Sequence, residues 1–203
     1  MAGPPLEDLD PHGRRSFFAF GLSRLVRPIA DYVQRKLPVS LPVLRPRLRP
    51  PGAIEEAAFL DACFRCGRCV EACPAEAISP WGGAGERLNG TPHVDPDRQA
   101  CVICDELACM KVCPSGALVL VDRMAIRMGL AVVDHGVCVR SKGEDCTECI
   151  ERCPVGQIAI RLDEAGRVQV IDPEATGSGC TGCGVCQQHC PTRPIRAIHV
   201  QPC

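Results

Sequence analysis

The chain has 203 residues and a formal net charge of -1, so its length allows one domain or two small ones and its overall charge implies no polyanionic partner such as nucleic acid. Aromatic residues make up only 3%, with one Trp and one Tyr, which excludes a large aromatic core. Cysteine compensates: at 17 residues, about 8% of the chain, it marks a group bound to sulfur as the replacement for part of that core.

The first segment is basic. Residues 1–52 carry nine Lys+Arg and four Asp+Glu, a balance of +5, whereas residues 53–203 carry fourteen and twenty, a balance of -6. Within the basic part, Phe18, Leu22, Leu25, Ile29 and Val33 recur at a helical period and predict an amphipathic helix over residues 16–37. Arg24, Arg27, Arg35 and Lys36 supply its charge, and Pro28 kinks it or ends its first half. Leu37 to Gly52 is proline-rich and reads as an extended linker. This gives an N-terminal region over 1–52 and a cysteine-rich domain over 53–203. No run of 18 apolar residues exists to span a membrane as a helix.

From residue 63 onward the sequence repeats. Cysteine motifs start at 63, 101, 138 and 180, at spacings of 38, 37 and 42 residues, and each ends in Cys-Pro. A short apolar segment follows each one: Ala77-Ile78, Ala117-Leu118, Ile158-Ala159-Ile160 and Ala197-Ile198. Strand-like runs occupy Ala117–Val121 and Leu130–Val133, and Ile158–Leu162 with Val168–Ile171 flank an Asp-Glu-Ala-Gly turn as a hairpin. Short helices, short strands and many loops make an α+β chain whose small units depend on neighbours or metal for stability.

The first motif is Cys63-x2-Cys66-x2-Cys69-x3-Cys73-Pro74 and the last is Cys180-x2-Cys183-x2-Cys186-x3-Cys190-Pro191. Both match the run that holds [4Fe–4S] clusters in bacterial ferredoxins. A cubane needs four thiolates at tetrahedral corners. Two-residue gaps let three thiolates reach three irons, and the fourth, one turn into a following helix, faces away to ligate the other cluster of a pair. Gly67, Gly182 and Gly184 allow the backbone to wrap closely and aim N–H groups at sulfur. The middle motifs, Cys101-x2-Cys104-x4-Cys109-x3-Cys113 and Cys138-x7-Cys146-x2-Cys149-x3-Cys153, enlarge one loop and keep the ligand count.

Disulfides fit this spacing badly, because close neighbours converge on one centre more readily than they pair. Zinc ribbons use two separated C-x2-C pairs and give no reason for a third cysteine or the Cys-Pro ending. No C-x-x-C is followed by His, which excludes c-type haem, and no phosphate-binding glycine loop precedes a helix. Sixteen cysteines serve four clusters with none missing, so no iron is left open for a substrate. The expectation is an electron carrier with four [4Fe–4S] clusters and no catalytic residues. Cys203 is left over as a spare thiol. His93, His135, His189 and His199 read as surface or supporting residues, and Trp81-Gly82-Gly83 as a loop.

Further sequence marks accompany the cysteines: Arg49-Pro50-Pro51-Gly52-Ala53, Thr91-Pro92-His93-Val94-Asp95, Met128-Gly129-Leu130-Ala131 and Cys180-Thr181-Gly182-Cys183-Gly184. With them, residues 47–202 resemble the ferredoxin-type proteins of periplasmic nitrate reduction and methylamine utilisation, the NapG/MauM family. The resemblance implies electron transfer from a membrane quinol dehydrogenase towards a reductase or cytochrome subunit. A role in maturation or assembly of a partner redox enzyme is the alternative.

The resemblance also implies a pairing of motifs. Cys63, Cys66 and Cys69 would join Cys190; Cys180, Cys183 and Cys186 would join Cys73; Cys101, Cys104 and Cys109 would join Cys153; and Cys138, Cys146 and Cys149 would join Cys113. That makes two pseudo-two-fold related, bacterial-ferredoxin-like dicluster modules, an outer one (53–90 plus 172–203) and an inner one (91–171). Pairing of consecutive motifs stays open on the sequence alone.

Family members usually begin with a twin-arginine export signal, and Arg14-Arg15-Ser16-Phe17-Phe18 looks like its start. The apolar stretch is then cut short by Arg24, Arg27 and Asp31, with no small-residue cleavage site. Two readings follow. One is a retained helix over 16–37 on a partner or membrane surface, with the protein in the cytoplasm or at its membrane face. The other is export to the periplasm.

Overall fold

The computed structural model describes residues 47–83 and 87–203. The helix expected over 16–37 and the twin-arginine start lie outside the described residues. Among the described residues no helix is long and apolar enough to cross a membrane.

The chain folds into short elements separated by cysteine loops. Helix Glu56–Ala62 comes first, capped by the Glu55 carboxylate, which accepts from the Ala57 and Ala58 N–H groups. Among the described residues five one-turn helices follow, one at Pro173–Thr176 and four in the cysteine motifs at Arg68–Glu71, Ala108–Lys111, Glu148–Glu151 and Val185–His189. Each of those four carries the third cysteine of its motif, and the fourth cysteine follows just beyond the helix end. This corrects the expectation that the fourth cysteine sits inside a following helix: the helix is a single turn and ends before the x3 gap does.

Among the described residues six strands form three antiparallel ribbons. Strand β1 (Ile78–Pro80) pairs with β2 (Pro92–Val94), placing Ile78 opposite Val94. Strand β3 (Gly129–Val133) pairs with β6 (Ile198–Pro202), placing Gly129 opposite Pro202. The expected hairpin is present as β4 (Ile160–Leu162) and β5 (Val168–Val170), with Ile160 opposite Val170. Ala117–Val121 is not a strand. Only Leu118 bridges, to Ala53, because the facing segment Gly52–Ile54 is too short to offer a longer ladder.

Two apolar cores result. One gathers Phe59, Ile103, Met110, Leu118 and Ile126 around the first two motifs. The other gathers Ala131, Ala159, Ile160, Val168 and Ile198 around the last two. The repeated apolar pairs after each Cys-Pro supply both, since Ala77-Ile78, Ala117-Leu118, Ala159-Ile160 and Ala197-Ile198 are all buried. The last residues of the stretch read as linker also belong to the fold. Leu48 to Gly52 are buried, and the Val94 N–H donates to the Leu48 carbonyl at 2.8 Å.

Candidate metal centres

The loops that carry the first three cysteines share a backbone turn in three of the four motifs. Arg65 and Ile103, each two residues after a first cysteine, have φ of 55° and 49°. Gly182 occupies the same place in the last motif at φ 72°, a value that favours glycine. The turn points an N–H back at sulfur: Arg65 N–H donates to Cys63 Sγ and Gly182 N–H to Cys180 Sγ, both at 3.4 Å. The fourth cysteines receive the same treatment from the segment that follows. Ala77 N–H donates to Cys73 Sγ at 3.3 Å, and Leu118 N–H to Cys113 Sγ at 3.4 Å. Backbone donors at sulfur are what a negatively charged thiolate cluster requires.

The thiols gather in four groups. Cys63, Cys66, Cys69 and Cys113 line one cavity of about 320 Å³. Cys73, Cys101, Cys104 and Cys109 line a smaller one, and Cys153, Cys180, Cys183 and Cys186 a third. In the fourth group Cys149 lies within electrostatic reach of Cys146, Cys138 and Cys190. Each group therefore takes three thiols from one motif and the fourth from its neighbour in sequence.

This grouping of thiols differs from the pairing that the resemblance implied. Cys113, not Cys190, joins Cys63, Cys66 and Cys69. Cys190, not Cys113, joins Cys138, Cys146 and Cys149. Cys73 joins Cys101, Cys104 and Cys109, and Cys153 joins Cys180, Cys183 and Cys186. The thiols of motif one thus lie with those of motif two, and the thiols of motif three with those of motif four. The physical reason is local. The one-turn helices of adjacent motifs pack together, Arg68–Glu71 on Ala108–Lys111 and Glu148–Glu151 on Val185–His189. The thiol just past each helix end then falls beside the neighbour's loop.

The donor set fits a thiolate-bound metal cluster. All seventeen cysteines are free, and thirteen of the sixteen motif thiols, all but Cys66, Cys104 and Cys146, sit within the two apolar cores. Burial, and then the neighbouring thiols, push Cys101, Cys109 and Cys149 up to about 12 and Cys69 to about 11. Such thiols ionise only against a strong local positive charge, which iron supplies. Cys190 and Cys113 behave differently: burial alone would raise them, yet both lie below the usual thiol value. Hydrogen bonds outweigh burial there. The Thr192 hydroxyl reaches Cys190 Sγ at 3.1 Å, and Ser115 Oγ lies 3.6 Å from Cys113 Sγ. Those two hydroxyls are contributors that the cysteine spacing did not single out. Their signal is a Ser or Thr two residues beyond the fourth cysteine, present in two of the four motifs.

Residues 62–117, the first two motifs together, match the family model of the 4Fe-4S dicluster domain. The methylamine utilization ferredoxin-type protein MauM of Paracoccus denitrificans is 40% identical over 155 residues, covering 73% of this chain and 69% of the relative. The chain belongs to the ferredoxin-type MauM/NapG family. MauM of Methylobacillus flagellatus is 41% identical over 150 residues, covering 70% of the chain, and the ferredoxin-type protein NapG of Escherichia coli is 41% identical over 155 residues, covering 71%. The chain spans 63% of the length of that Methylobacillus MauM and 66% of that of NapG. The remaining named sites are peripheral. His93 Nδ1 bonds the Ser79 carbonyl at 2.9 Å, His135 bonds Ser141, and Cys203 is exposed.

Proposed function

We propose that the protein is an iron–sulfur electron carrier with four [4Fe–4S] clusters in two pseudo-two-fold related dicluster modules. The observation that carries this reading is the complete grouping of the sixteen motif cysteines into four sets of four. Each set has the ligand count of a fully coordinated cubane and leaves no iron for a substrate.

One electron enters and one leaves, with no bond made or broken. A membrane quinol dehydrogenase on one side and a reductase or cytochrome subunit on the other are the partners this reading names. The protein works in the cytoplasm or at the cytoplasmic face of the membrane; if residues 14–18 act as a twin-arginine signal, it works in the periplasm.

Anaerobic purification followed by iron and acid-labile sulfide analysis tests the proposal. The expected count is sixteen iron and sixteen sulfide per chain, with reversible bleaching of the visible absorption by dithionite. A count clearly below sixteen iron and sixteen sulfide, or bound zinc in place of iron, overturns it. Assembly of a partner enzyme, with no electron passing through this chain, would appear as a partner that fails to mature when the protein is deleted.

A further inference from the structure

Cys101 and Cys183 belong to different dicluster modules, yet their backbones touch: the Cys101 N–H donates to the Cys183 carbonyl at 3.0 Å. The contact is built, not incidental. Gly184, at φ 88°, leaves no room for a side chain, since a Cβ there would stand 2.6 Å from Pro96 Cγ. Gln188 accepts from the Ala100 N–H at 3.1 Å and donates to Gln99 Oε1 at 3.1 Å, and Arg196 pairs with Asp97 at 2.7 Å. Cys183 and Val185 are buried in the core of the first module although they belong to the last motif.

Within each module the sites adjoin as well. Cys109 lies within electrostatic reach of Cys69, and Cys186 of Cys149. At one extreme, Cys66 is exposed, alone among the sixteen motif cysteines, and Phe64 beside it is 69% exposed.

We infer that the four sites form one linear relay, with the Cys101–Cys183 backbone contact as its central bridge and the Cys66 edge as a port. The order runs from Cys63/Cys66/Cys69/Cys113 to Cys73/Cys101/Cys104/Cys109. It continues to Cys153/Cys180/Cys183/Cys186 and ends at Cys138/Cys146/Cys149/Cys190. An independent feature matches this order. The hydroxyl beside a fourth cysteine occurs at Cys113 and Cys190, which serve the two terminal sites; Ala75 and Val155 take that place beside the cysteines that serve the two inner sites. The ends of the relay thus resemble each other, and so do its middle members. One electron taken from a one-electron donor protein leaves to a one-electron acceptor protein, with no proton or leaving group involved.

The inference rests on the four-cluster reading, and the test separates the two. Iron and sulfide analysis of the wild-type chain comes first; fewer than four clusters defeats the reading, not the order. With four present, the electron paramagnetic resonance of the dithionite-reduced chain reports which clusters feel one another. The expected wild-type spectrum is broader than the sum of two independent cluster pairs, because the inner sites couple across the bridge. Cys104→Ser removes an inner cluster of the first module, and the signals of the second module sharpen while its eight irons stay. Cys146→Ser removes a terminal cluster and leaves the first module's signals as they were. A second module indifferent to Cys104→Ser overturns the order. If that variant does not fold, a wild-type spectrum equal to two independent pairs overturns it equally.

Discussion

The Arg49 guanidinium donates to the Thr91 hydroxyl at 3.0 Å and to the Pro92 carbonyl at 2.8 Å. These residues lie in two of the sequence marks that accompany the cysteines, and the structure brings the marks into contact. Arg49 also grips Glu56 with both forks, at 2.7 and 2.9 Å, and lies 4.6 Å over the Phe59 ring. The other two marks meet in the same manner. Met128 N–H donates to the Thr181 carbonyl at 2.9 Å, and Gly182 packs so closely on Gly129 that a Cβ would stand 2.3 Å from its nitrogen. The marks are therefore clasps: the first pair holds the entry segment on β2, and the second holds the start of β3 on the last cysteine loop.

Arg49→Met removes a buried charge from partners that stay behind. Breaking such a pair costs about 3 kcal/mol when buried; Glu56 is one-third exposed, so about 2 kcal/mol is expected. Guanidinium titration of the anaerobic protein, followed by the visible absorption, should show earlier cluster loss. Arg49→Lys should recover only part of it, because an ammonium cannot make the paired contact.

Cys113→Ser should disturb the cluster held by Cys63, Cys66 and Cys69 and spare the one held by Cys101, Cys104 and Cys109. Cys190→Ser should disturb the one held by Cys138, Cys146 and Cys149. Isotope-edited paramagnetic spectra of the two variants distinguish this grouping from the nested alternative, which predicts the opposite assignments.

Thr192→Val takes a donor from Cys190 Sγ and leaves the Ala197 N–H, now bonded at 2.7 Å, without its acceptor. Loss of a sulfur-directed donor makes the added electron less welcome, so the potential of that site should fall by about 60 mV, a tenfold change for one electron. A redox titration monitored by paramagnetic resonance reads the shift. Thr192→Ser, which keeps the hydroxyl, should restore the wild-type value.

His93 is held below its ordinary value of 6.5, first by burial and then by the nearby Arg47 and Arg49, against the opposing pull of the Ser79 carbonyl and Asp95. The folded state thus prefers the neutral ring. Its contribution to stability is full above about pH 6.5 and is lost as pH falls through the lower folded value. The wild-type protein should lose more stability between pH 7.5 and 5 than His93→Gln does, and the His93 ring protons should titrate below 6.5.

The motif cysteines and the β4–β5 hairpin were legible because their signals are local: two-residue gaps, the Cys-Pro ending, and a turn between alternating strands. The partner of each fourth cysteine was not. Nothing near Cys113 or Cys190 in sequence states which loop it will meet, since that depends on which one-turn helices pack together. Strand Ala117–Val121 failed for a related reason: an apolar run becomes a strand only where a facing segment is long enough. Leu48–Gly52 reads as linker by its prolines, yet the Arg49 clasp draws it into the core. Thr192 and Ser115 were passed over because a hydroxyl two residues past a cysteine has no meaning until the chain turns back on the sulfur.

Consecutive pairing also bears on how the protein is made. All eight thiols of the first module lie between Cys63 and Cys113, and Cys190 emerges 77 residues later. At translation rates of about 5–20 residues per second, that interval is about 4–15 s. The first module can gather all eight of its thiols while the second is still on the ribosome, whereas a nested arrangement would leave the first site one ligand short until Cys190 arrived.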